Sequence, residues 1–168
     1  MIDILNKKML ERTFANDFAS PYYPVLAELY LLEGDLPRAR KVCEIGLDHD
    51  SSNVDGKFVY AKVEMAEEKF TAAEKWLKKV VAENPAHFIA LRMLIRLELQ
   101  LNRSPKTIRN YINKILQFLP EDVECMEWIN NIQPLEAVEP PPPPSELTET
   151  KPKNNIPIQN PKPVTEKI

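Results

Sequence analysis

A chain of 168 residues with 43% hydrophobic content has room for one ordinary domain with a substantial core. A net charge of −3 offers no basic footprint for nucleic acid, and three glycines argue against a phosphate-cradling loop. Cys43 and Cys125 are too few for a disulfide framework, and no stretch reaches the ~20 apolar residues that span a bilayer. The first residues show no basic region followed by an apolar run, so the cytoplasm is the expected compartment.

Residues 1–19 carry Ile2, Leu5, Met9 and Phe14 at roughly helical spacing among Lys7, Lys8, Glu11 and Arg12. This predicts a leading helix that covers the unit after it. Ser20-Pro21 then opens a helix over 22–33, with Pro21 and Pro24 in a first turn where a missing amide hydrogen costs little. Gly34 stops it. Asp35 caps a second helix whose one face carries Ala39, Val42, Cys43, Gly46 and Leu47, so Cys43 reads as a packing thiol. Next, helices over 55–67 and 71–83 pair through Ala61 and Ala73, with Trp76 packing on a neighbouring unit. Helices over 87–101 and 105–119 follow, with Phe88, Leu91, Leu94 and Ile95 facing Ile108, Tyr111, Ile112 and Ile115. Over 121–132, Val123, Met126, Ile129 and Ile132 form an apolar side, and Glu121, Glu124 and Glu127 a polar one. From 134 to 168 lie ten of the sixteen prolines and no aromatic residue, a composition that cannot bury enough apolar surface to order itself. The run 140–144 should be polyproline II, either a linker or a docking motif for a proline-binding domain.

The units 20–53, 54–87 and 88–120 repeat one pattern at a step of 34 residues. Leu26, Tyr60 and Leu94 align, as do Ala39, Ala73 and Thr107, then Cys43, Leu77 and Tyr111. Gly34-Asp35-Leu36 recurs as Glu68-Lys69-Phe70. Two apolar-periodic segments per period of this length mark a helix–turn–helix array. The pattern resembles the tetratricopeptide repeat family over about 20–120, best in the middle unit through Ala61, Phe70, Ala73, Leu77, Val80 and Pro85. The first unit has Ser51 in place of the proline. The third has Ile95, Thr107 and Lys114 at small-residue positions, and Pro120 arrives one residue late. The resemblance implies an all-α, right-handed α-solenoid of three repeats, with N- and C-terminal capping helices and a disordered Pro-rich tail.

It also implies a concave groove, lined by the first helix of each repeat, in which another protein binds. The groove candidates are Leu31, Phe58, Lys62, Met65, Arg92, Arg96 and Leu99; Leu31, Met65 and Leu99 could equally be core. Arg92 and Arg96 are spaced to present two forks on one helix face, which favours an acidic and apolar segment as partner. Relatives that clamp a chaperone's C-terminal carboxylate use Lys and Asn where this chain has Pro24, Glu28, Val59, Ile89 and Met93, so that clamp is not expected. His49 and His87 lack the spacing of a helical metal site. Glu64 and Glu98 read as surface or groove charges rather than a catalytic pair. No catalytic residue, metal or cofactor is expected. The implied role is an adaptor, with a secretion-type chaperone or a structural subunit as alternatives. Glu136 and Glu139 are placed to fold back on Arg92 and Arg96, and an uncovered third repeat would leave a face for a homodimer.

Overall fold

The computed structural model describes residues 6–136, and among these every regular element is an α-helix. They are α1 (Lys7–Asn16), α2 (Tyr23–Leu32), α3 (Leu36–His49), α4 (Val54–Ala66), α5 (Phe70–Glu83), α6 (Phe88–Gln100), α7 (Pro105–Leu116) and α8 (Val123–Glu136). Helices α2–α3, α4–α5 and α6–α7 form three hairpins stacked in sequence. The proline run and the fold-back expected through Glu136 and Glu139 lie outside what the structure describes.

Local chemistry sets the period. Gly34, Glu68 and Asn102 take left-handed φ of 76°, 59° and 50° just past α2, α4 and α6. The amide that follows each returns to the carbonyl five residues back: Asp35 to Tyr30, Lys69 to Glu64 and Arg103 to Glu98. Glycine adopts this helix end without strain, Asn tolerates it, and Glu68 bears the full steric cost. Helix starts are equally local. The side chains of Asp35, Asn53, His87 and Asp122 accept from the amides of Arg38, Gly56, Ala90 and Cys125 at 2.8–3.1 Å. Pro24, Pro37 and Pro105 sit in first turns; α2 begins after Pro21.

Two apolar clusters form the core, one over α1–α4 and one over α4–α8, and Trp76 packs on both. In the first, Tyr23 is fully buried in a slot made by two glycines. A Cβ on Gly46 would lie 2.3 Å from the Tyr23 ring, and one on Gly56 would lie 2.0 Å from its hydroxyl. Leu10 and Phe14 supply the buried side of α1, whereas Met9, expected there, is exposed. Cys43 is buried as expected, which pushes its thiol up to about 12.

Three expectations need correction. The buried residues of α7 are Ile108, Ile112 and Ile115, while Thr107, Tyr111 and Lys114 are only partly covered. Four residues, 101–104, join α6 to α7, whereas three join α2 to α3 and α4 to α5. The extra residue follows the left-handed Asn102 and starts the next helix one residue later, so the buried positions 108, 112 and 115 stand 35 rather than 34 residues after 73, 77 and 80. Second, α7 ends at Leu116, short of the expected 119. Third, α8 buries Cys125, Trp128 and Ile132, while Val123 and Met126 are 71% and 49% exposed. Apolar residues at every third position drift about 60° per step, so Val123 and Ile132 fall on opposite sides.

Cys125, Trp128 and Ile132 stand 34 residues after Leu91, Leu94 and Glu98, which makes α8 equivalent to the first helix of a fourth unit. Glu127 and Asn131, at the same step from Met93 and Leu97, are exposed and polar. By packing on α7, α8 also covers the third repeat, the face that a homodimer was expected to use.

Candidate functional site

The expected groove residues all lie on α2, α4 and α6. Leu31 packs against the first cluster, and Phe58, Met65 and Leu99 against the second, yet each keeps part of its surface accessible. They are core on one side and accessible on the other. The Phe58 ring lies 4.5 Å from the His87 ring, and the Lys62 ammonium lies 5.8 Å from the Phe58 centroid.

The three groove cations are engaged within the chain. Lys62 on α4 pairs with Glu28 on α2, one repeat earlier. Arg92 donates through Nη1 to Asp122 Oδ1 at 3.2 Å and through Nη2 to Asp122 Oδ2, and it also reaches Glu124. Arg96 donates through Nε to Glu124 Oε1 at 3.0 Å, and its guanidinium lies 6.0 Å from the Trp128 ring. The two arginines do present together, as their spacing predicts. The carboxylates they grip belong to the start of α8. Arg92 and the Cys125 amide hold the Asp122 carboxyl down to about 2.

Glu64 and Glu98 are neither surface nor groove charges: they are buried, with Glu98 wholly inaccessible. Arg40 of α3 lies 2.9 Å from Glu64, forks onto Glu67 from Nε at 2.9 and 3.1 Å, and donates to the Tyr60 hydroxyl at 2.8 Å. Lys78 of α5 lies 2.9 Å from Glu98 and also pairs with Glu74, which accepts from Arg103 Nη2 at 2.7 Å. At the two junctions between the three repeats, a cation on the second helix of one repeat meets a carboxylate on the first helix of the next. A buried carboxylate without its cation would cost several kcal/mol, of order 3–5. The signal was present in the row Tyr30, Glu64, Glu98 and Ile132, whose apolar ends mark an interior position. Arg40 holds the Glu67 carboxyl down to about 2.

His87 serves as the α6 cap, and the His49 ring lies 5.8 Å from that of Phe18. Among the described residues, no group of three His, Cys, Asp or Glu side chains could hold a metal, and no helix is long and apolar enough to cross a membrane.

No protein-family model matches the chain, and no curated protein sequence matches it. Solved structures do. The crystal structure of MamA superposes with a TM-score of 0.67 at 12% identity, covering 78% of this chain and 77% of that one. YrrB, described as a TPR protein with an unusual peptide-binding site, gives 0.67 at 18% identity over 79% of this chain and 70% of its own. The fold is the tetratricopeptide-repeat solenoid. The first tetratricopeptide repeat domain of Spaghetti (RPAP3), bound to the HSP90 peptide SRMEEVD, gives 0.55 at 20% identity over 66% of this chain and 89% of its own. In tetratricopeptide-repeat terms, α2, α4, α6 and α8 are first helices, and α3, α5 and α7 are second helices.

Proposed function

We propose that the chain is a non-catalytic protein-interaction module that holds a segment of another protein along its first helices, in the cytoplasm. The observation that carries this reading is the row Leu31, Phe58, Met65 and Leu99, anchored in the core but accessible along one side. Peptide binding by YrrB and by the Spaghetti domain supports it by analogy of fold alone. Apolar contact would supply most of the area. Lys62, Arg92 and Arg96 already hold carboxylates, so an acidic partner must displace Glu28, Asp122 or Glu124. Charge then sets a competition and adds specificity more than affinity.

The test is quantitative capture from cell lysate with the full chain against a Met65→Gln, Lys62→Ala double variant of unchanged melting temperature. Loss of a defined set of proteins is the expected result. Recovery of the same set by both baits would remove the groove from the account.

A further inference from the structure

Nine large apolar side chains are exposed among the described residues, and five of them, Ile89, Phe118, Leu119, Val123 and Met126, belong to one end of the array. They lie at the start of α6, in the α7–α8 turn and at the start of α8. Phe118 meets Phe88 edge-on at 5.6 Å, Ile89 is the next residue on α6, and Val123 follows Ile89 by the 34-residue step. An open cleft of about 650 Å³ is lined by residues 118–123. Its size suits two or three side chains of a partner. None of this exposure is needed to seat α8, which docks through Cys125, Trp128 and Ile132. Phe118 and Leu119 lie in the six-residue turn between α7 and α8, and the positions equivalent to them one unit earlier, Asn84 and Pro85, are exposed as well.

The segment that lines this cleft carries charge of one sign. Residues 117–132 contain Glu121, Asp122, Glu124 and Glu127 and neither Lys nor Arg. Arg92 and Arg96 neutralise Asp122 and Glu124. Glu121 and Glu127 are exposed and have no partner among the described residues. Lys114, one turn before Phe118, lies over the Tyr111 ring at 5.5 Å. We propose that this end is a second docking surface, for a protein segment that places apolar side chains beside lysine or arginine. The proposal stands apart from the groove reading, because its residues and its test are different.

The probe is a short, end-blocked, dye-labelled peptide of Leu, Phe and Lys, compared with the same peptide carrying Glu for every Lys. Fluorescence anisotropy with the full chain should show binding of the lysine peptide and at least about tenfold weaker binding of the glutamate peptide. Phe118→Ser with Val123→Ser should weaken the lysine peptide about tenfold. Glu121→Lys with Glu127→Lys should weaken it about fivefold, by less as salt is added. All four positions are exposed, so both variants should melt with the parent; if the serine pair unfolds, the charge pair decides. Equal affinity for the two peptides, or full affinity in the charge pair, would overturn the proposal. So would a dimer in sedimentation that the substitutions at Phe118 and Val123 abolish, which would give the surface to a second copy.

Discussion

In α2–α5 small residues set the distances between helices: Ala27, Ala39, Ala61 and Ala73 have no accessible surface, and Gly46 and Gly56 admit Tyr23 between them. In α6–α8 the corresponding contacts are made by Leu91, Leu94, Ile95, Ile108, Ile112 and Ile115, all 2% exposed or less. The first region keeps its register because little else fits around a missing Cβ. The second absorbs a one-residue shift of register by seating Ile108 and Ile112 at the helix positions where α5 has Ala73 and Leu77. Conformity to a repeat pattern therefore reports how tightly a contact is constrained. It does not report how well the region is packed.

The largest test of this contrast is at the shifted helix. Ile108→Ala should lower stability by about 3 kcal/mol, and Thr107→Ala, its neighbour at the 34-residue step, by under about 1 kcal/mol, both by urea unfolding. The reverse order would restore the 34-residue register. Next comes Gly46→Ala. An exposed helical glycine gains up to about 1 kcal/mol on this change, but here the new methyl meets the Tyr23 ring and a loss of about 2 kcal/mol is expected. A gain would show that the slot can relax. Smaller, and opposite in sign, is Glu68→Gly, which should add about 1 kcal/mol by relieving a left-handed residue. Thermal melts will resolve it.

The smallest effect is with acid. The Asp122 carboxyl is depressed to about 2 from an ordinary value of 3.8, so its contribution is fully present above about pH 4 and is lost as pH falls through about 2. Trp128 fluorescence in a Trp76→Phe background should therefore shift toward the solvent-exposed spectrum over that window. In Arg92→Met, with the depression removed, the shift should begin nearer the ordinary value. A spectrum that stays unchanged down to pH 2 in both would separate the Arg92–Asp122 pair from the docking of α8.

Much of this architecture could be read from residues alone, because its determinants are local: the turn at Gly34, the cap at Asp35, and the period of small residues through Ala39 and Ala73. The seven groove candidates fall on α2, α4 and α6, the helices that the 34-residue step assigns them to, for the same reason. What could not be read depends on pairs distant in sequence or on single insertions. Arg92 meets Asp122 thirty positions away, so a cation that looks available is already occupied. One added residue after Asn102 shifts the register of a whole helix by one. Glu64 and Glu98 pass for surface charges until the fold brings Arg40 and Lys78 against them. On α8, spacing by threes conceals that Cys125 and Trp128 hold the buried side.

The buried ion pairs at the junctions make the order of the units part of the design. Arg40 is cut for the unit that follows it, since it needs Glu64 and, one turn further, Glu67. The third unit would offer Glu98 and then Leu101 in those places. Deleting the middle unit would thus keep the hairpin geometry and strand half of a guanidinium fork against an apolar side chain. Although its units look alike, they are not interchangeable: the array can be lengthened or shuffled only by rewriting both sides of each seam.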